Sequence, residues 1–227
     1  MTHRLLSRAK DCLDRAKGLW SSTSGIAIVE FALSLPLFVG TAFGGIEVAR
    51  YVAANMQVSQ LALMVADNAG RVRGSIDESD IEEVMIGART SGEGVKFGQY
   101  GRVILSSLEP NGQTGSNAGQ MIRWQRCFGL KSVSSSYGLE SAGTTNATLA
   151  TGMGESGNKI TALPGATVMF VEVFYDYQPL VMDSIIPTTT LHYTAAYTVR
   201  ERATQTLSNL GNISAANKRL CSRYSST

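Results

Sequence analysis

The chain has 227 residues, room for one ordinary domain with an appendage or for two small domains, and its 44% apolar content excludes global disorder. Charged residues make up 17%, below the ~25% usual for soluble domains, and the net charge of +2 is too even for a nucleic-acid partner, which would call for a basic face. Five of the 20 bases and two of the 18 acids fall in residues 1–25, so the rest of the chain carries 15 and 16 and a net charge of −1.

That basic start (Arg4, Arg8, Lys10, Arg15 and Lys17 against Asp11 and Asp14) is followed by Ile26–Ile46, IAIVEFALSLPLFVGTAFGGI, in which Glu30 is the one ionisable group. A helix of this length rises ~30 Å, the thickness of bilayer hydrocarbon. We therefore read residues 26–48 as a transmembrane helix, against the alternative of a buried helix in a soluble protein. By the positive-inside rule residues 1–25 stay in the cytoplasm and the chain beyond Val48 is exported, a single pass in contact with membrane lipid. A removable secretory signal fits less well, because the apolar run starts late, is long, and lacks a small-x-small site at its end. Pro36 removes a backbone donor and is expected to kink the helix. Glu30 costs roughly 2–3 kcal/mol at the centre of a bilayer and less near its edge, so it either snorkels to the headgroups or awaits a cationic partner. In the leader, Leu5, Leu6, Ala9, Cys12, Leu13, Ala16 and Leu19 recur at helical spacing and suit the inner membrane surface.

The junction Ser24-Gly25-Ile26-Ala27-Ile28-Val29-Glu30-Phe31 places a Gly before the apolar run and Glu-Phe at the fifth and sixth positions after it. It resembles the cleavage site of type IV pilin-like precursors of the Flp, or tight-adherence, branch. Residues 24–72 as a whole are similar to the start of TadE-like minor pilins (pseudopilins), where such a junction, a Pro in the apolar helix and a following amphipathic helix are characteristic. The resemblance implies a prepilin peptidase that cuts between Gly25 and Ile26, with Glu30 and Phe31 serving recognition and assembly. It also implies other pilin or pilin-like subunits and the pilus assembly machinery as partners. Cutting there removes all five leader bases and creates an ammonium at Ile26. Glu30 stands five residues along from Gly25, about one helical turn, and the resemblance implies that it meets the new amino terminus of an adjacent subunit.

Residues 49–74 extend the helix on the exported side, with a broad apolar surface of Val48, Tyr51, Val52, Met56, Val58, Leu61, Leu63, Met64 and Val65, and Gly70 and Gly74 as stop signals. One face is expected to pack on its own domain and a second to meet neighbouring subunits. Asp77 is placed to cap a short helix from Glu78 to about Arg89. Strands follow at 101–108, 120–128, 166–177 and 191–199, the last alternating Leu191, Tyr193, Ala195, Tyr197 and Val199 on one face. Residues 132–158, rich in Gly, Ser and Thr, read as an insertion loop between strands with freedom to move. Residues 75–227 thus form an exported α+β domain in which a small antiparallel sheet packs on the long N-terminal helix, a pilin-like plan.

Of the three cysteines, Cys12 lies in the leader, and Cys127 and Cys221 are exported together into an oxidising space, where a disulfide between them is expected over two free thiols. Only His3 and His192 are present, too few for a His-based metal cluster, and nothing local supports a Cys127–His192 nucleophile pair. The acidic stretch Asp77-Glu78-Ser79-Asp80 with Glu82 and Glu83 lacks the spacing of a calcium loop and reads as a helix start. Asn146-Ala-Thr and Asn212-Ile-Ser match a glycosylation pattern common by chance. No phosphate-binding loop or nucleophile elbow occurs. No cofactor, no metal and no catalysis are expected, which leaves a structural pilus protein acting in assembly or adhesion. The alternative is an uncut, permanently signal-anchored periplasmic binding module. An anchored hydrolase has no constellation to support it.

Overall fold

In the computed structural model, residues 24–180 and 187–226 are described; positions 1–23 of the basic leader, with His3 and Cys12, lie outside them. The chain divides into two compact units, Met1–Val48 and Ala49–Thr227. Helix α1, Ser24–Arg71, belongs to both and runs without a break through Pro36. Its stretch within the first unit is apolar and exposed: Ile28 is 69% accessible, Leu33 76% and Leu37 69%.

In the second unit the remainder of α1 buries one stripe, Ala54, Val58, Leu61, Ala62, Val65, Ala66 and Ala69, spaced by three and four residues as a helix packed on one side requires. Of the apolar residues listed from sequence, Val58, Leu61 and Val65 are fully buried, whereas Val52, Met56 and Leu63 form an exposed second face. The helix ends at Arg71. Gly70 is still helical and has a packing role: a Cβ there would lie 3.1 Å from the Tyr197 ring. Gly74, at φ +74°, turns the chain into strand β1, Gly74–Asp77. Helix α2, Glu78–Ser91, starts at Asp77 with a capping box, as its sequence leads one to expect. A 3₁₀ turn at Glu93–Val95 and the single-turn helix α3, Phe97–Tyr100, lead into the sheet.

Strands β2 (Gly101–Pro110), β3 (Gln120–Phe128), β4 (Val168–Asp176) and β5 (Thr190–Thr198) form one antiparallel sheet in the order β3-β2-β4-β5. The α+β class and these four strands agree with the sequence reading to within two residues at each end. A fifth and sixth strand escaped it: β1 pairs in parallel with β6, Arg202–Ser208. Four residues with two small ones, Gly74 and Ser75, are too short to show alternation.

The sheet is covered on both sides. Val103, Leu105, Trp124, Phe128, Met169, Val171 and Val173 face α1 and α2. Leu108, Ile122, Val168 and Phe170 face the opposite way and are covered by Leu149, Met153 and Ala162 of the long β3–β4 connection. A register shift between Ser106 and Leu108 divides β3, so that Ile122 and Trp124, two residues apart, reach opposite faces. The Gly/Ser/Thr-rich stretch at 132–158 is therefore the second layer of the core. Glu172, fully buried on β4, accepts hydrogen bonds from the Ser135 hydroxyl and, at 2.9 Å, the Ser136 amide, tying that layer down. Its polar composition hides this because a handful of apolar residues and the backbone do the covering.

The C-terminal segment returns to the sheet edge. Cys127 and Cys221 form a disulfide across 94 positions of chain, and Arg126 and Leu220 form a β-bridge beside it. Arg102, 1% exposed and without a carboxylate contact among the described residues, donates to the carbonyls of Gly129 at 2.8 Å, Arg223 at 2.8 Å and Cys221 at 2.6 Å, with the Tyr224 ring 4.2 Å away. Closing a loop of that length stabilises by about 4–5 kcal/mol in the chain-entropy view. Cys127→Ser/Cys221→Ser is expected to lower unfolding stability by up to that amount, measured by denaturant titration of the detergent-solubilised chain. The tail should stay docked on Arg102 in native conditions, giving unchanged limited proteolysis; equal stability of the two forms would show that the bridge constrains nothing.

Candidate functional site

At the start of α1, Gly25 is the second helical residue and nothing lies within 4 Å of where its Cβ would stand. Among the described residues no packing requires a Gly there. Ile26 is 58% exposed and Phe31 63%. Counted from Ile26 rather than Gly25, Glu30 is the fourth residue on, so the two share one face of the helix, a turn apart. Glu30 is exposed, and among the described residues its carboxylate has no hydrogen bond or ion pair.

The hydroxyls of this helix are satisfied internally: Ser34 donates to the Phe31 carbonyl at 3.0 Å, and Thr41 to those of Leu37 and Phe38, each at 3.0 Å. Such back-bonding is what a polar side chain does when water is absent. Pro36 leaves the helix intact over its length. Gly25–Arg71 is the one helix among the described residues long and apolar enough to cross a membrane, and its apolar window is unburied within the chain.

In the acidic stretch at the start of α2, Asp77, Glu78, Asp80 and Glu82 are engaged in structure, while Glu83 is exposed. Asp77 accepts from the Ser79 amide at 3.0 Å, the Ser79 hydroxyl at 2.8 Å, the Ser208 hydroxyl at 2.9 Å and the Leu210 amide. Glu78, 4% exposed, meets the Arg126 guanidinium in a two-pronged contact at 2.6 and 3.0 Å, with Lys218 at 3.5 Å. Arg126 also reaches Glu140 at 2.9 Å, and Glu82 holds Arg219 at 2.6 Å. Sequence spacing suggested only a helix start; the partners come from β3 and the C-terminal segment, 48 and 137 positions away. No cluster of three or more His, Cys, Asp or Glu among the described residues could hold a metal ion. Cys127 is in its disulfide, and His192 stacks on Phe174 with ring centroids 4.2 Å apart, so no Cys–His pair forms.

One apolar helix, unburied along its first half, that continues into a domain and completes its core gives an α+β fold whose N-terminal helix is consistent with a single-pass membrane anchor. Comparison with protein families agrees: residues 25–67 match the model of the TadE-like protein family, so the match begins at Gly25 and ends inside the second unit. No significant match was found among curated proteins or among solved structures.

Burial alone would raise the pKa of Asp77, but the two amides and two hydroxyls outweigh it and hold the carboxyl well below the usual carboxylate range. A depressed folded-state pKa gives stability that is present above the unfolded value of about 3.9 and is lost as pH falls toward the folded one. Asp77→Asn should therefore be less stable at pH 7 by about 1–3 kcal/mol. The gap to wild type should shrink below about pH 4, read from urea midpoints across the acid range. A pH-independent gap would mean that the charge on Asp77 contributes nothing.

Proposed function

We propose that the chain is a minor pilin-like subunit of a tight-adherence pilus, held in the inner membrane by α1 with residues 1–25 cytoplasmic and the domain exported, and processed by a prepilin peptidase between Gly25 and Ile26. Hydrolysis of that bond adds water, leaves a carboxylate on Gly25 and frees an ammonium on Ile26. The observation that carries this reading is Gly25 itself: a glycine in the first turn of α1 with no packing reason among the described residues, at the first position of the TadE-like match. A requirement that the chain does not impose is one imposed from outside, as by a peptidase that needs a residue without a side chain.

Glu30 gains its purpose from the same cut. An unpaired carboxylate on an apolar helix is costly in hydrocarbon, and so is an isolated ammonium; together in a bundle each removes the other's penalty. Insertion beside neighbouring subunits is thereby favoured only after the leader is gone. The protein acts by assembly alongside other pilus components, and its exported domain is what it presents.

Coexpression with a prepilin peptidase followed by N-terminal sequencing should give a mature start at Ile26. A start at Met1 or Thr2 would overturn processing and favour the permanently anchored module instead. Glu30→Ala should be cut normally yet be depleted at least several-fold from sheared pili; normal incorporation of that variant would refute the pairing.

A further inference from the structure

Where α1 enters the second unit, the segment Gly92–Tyr100 and the end of β4 come against its first turns and enclose a cavity of about 370 Å³. Its wall includes Arg50, Gln57, Lys96, Tyr100, Tyr175 and Leu180, and no Asp or Glu among the described residues. The nearest acid along the helix, Glu47, is buried and lines no part of it. Both cations are exposed and neither makes an ion pair among the described residues. Elsewhere in the domain the cations Arg123, Arg126, Lys131 and Arg219 are each matched to a carboxylate.

Lys96 is held in place by unusual means. It adopts φ 53° and ψ 41°, the left-handed region that a residue with a side chain enters at an energetic cost. The turn is fixed on both sides: the Lys96 amide donates to Glu93 at 2.9 Å, and the Phe97 amide donates to Gly92 at 2.9 Å. The Tyr175 hydroxyl donates to the Val95 carbonyl at 2.9 Å, and the Gln57 amide nitrogen to the Ser91 carbonyl at 2.6 Å, pinning the segment to β4 and α1. With its hydrogen spent on Val95, that hydroxyl has only lone pairs left for the cavity. The turn thus presents Lys96 to the same cavity as a second cation, Arg50, with no carboxylate among the described lining residues.

Arg50 follows the apolar run by four residues, the zone where basic and aromatic side chains of a membrane protein meet phospholipid headgroups. Three tyrosines, Tyr100, Tyr175 and Tyr177, line the same cavity, and Leu180, 62% exposed, gives it an apolar rim. We propose that this cavity seats the phosphate headgroup of an anionic phospholipid, with Arg50 and Lys96 as the cationic contacts and Tyr100 and Leu180 against the glycerol and upper acyl region. The proposal rests on residues 26–48 crossing the bilayer. It makes the domain's foot a lipid-reading surface in the membrane-resident subunit.

The test uses the full chain in nanodiscs of phosphatidylcholine, alone or mixed with phosphatidylglycerol, with lipids retained on the released protein counted by native mass spectrometry. Wild type should retain phosphatidylglycerol in preference, and Arg50→Gln/Lys96→Gln should lower that preference about thirtyfold, given two surface cations. Lys159→Gln, on the remote β3–β4 connection, should keep it, as should Arg50→Lys. No preference in wild type, or equal loss in Lys159→Gln, overturns the site. Displacement of the lipid by soluble glycerol phosphate at matching concentration also overturns it, in favour of a free phosphate compound. Failure of the chain to enter the discs, read separately by size exclusion, brings down the membrane reading and the site with it; entry without preference brings down the site alone.

Discussion

An apolar surface that the chain does not cover must be covered by something else. From Ile26 to Ile46 the exposed part of α1 presents Ile, Leu, Val and Phe on every side, and each such side chain left in water costs about 1.5–3 kcal/mol relative to burial. Summed along the run, that penalty exceeds the whole stability of an ordinary domain. A hydrocarbon surrounding would remove that penalty, and the length and composition of the helix are consistent with a single-pass membrane anchor. Two features of Ile26–Ile46 accord with it: hydroxyls turned back on their own helix carbonyls, and Glu30 as the one ionisable group in the run.

The second unit solves the opposite problem with the same helix. Beyond Ala49 one stripe of α1 becomes core, with Val58, Leu61 and Val65 against the sheet, while Val52, Met56 and Leu63 stay uncovered. A helix apolar all round in one half and striped in the other can stay in a membrane or among helices at one end and nucleate a domain at the other. Around it the domain is rigidified by buried charge. Arg126 joins Glu78 and Glu140 across β3 and α2, and Arg102 gathers three carbonyls of the C-terminal return. Removing one member of such a set leaves the others charged or polar in a dry place, a loss of several kcal/mol. These contacts therefore specify one arrangement more than they add net stability.

What could be read from sequence followed from period and length. The 21-residue apolar run, the alternation in Leu191–Val199 and the Asp77 cap are local signals, and local structure obeys them. Continuous apolar β4 carried a further message: a strand buried on both faces shows no alternation, which announces a second layer. That layer, the Gly/Ser/Thr-rich connection, was unreadable because its hold depends on backbone amides and on Glu172 reaching Ser135 and Ser136, more than thirty positions away. The partners of Arg102 and Arg126 are distant in the same sense. Gly25 and Glu30 stood out through their spacing and the likeness to a family; what the fold adds is that, among the described residues, nothing lies within 4 Å of where a Gly25 Cβ would stand and the Glu30 carboxylate has no hydrogen bond or ion pair.

The division of α1 into a solvent-shielded and a domain-building half can be tested by cysteine accessibility in intact membranes. Cys12 is replaced by Ser, and single cysteines are placed at Leu33, Phe38, Phe43, Val52, Met56 and Leu63, all exposed in the isolated chain. Labelling by a water-soluble maleimide should fail at the first three and succeed at the last three in membranes without assembled pili. Labelling at Leu33 or Phe38 as fast as at Met56 would contradict the central claim, because water would then reach a surface that only lipid or neighbouring helices should touch.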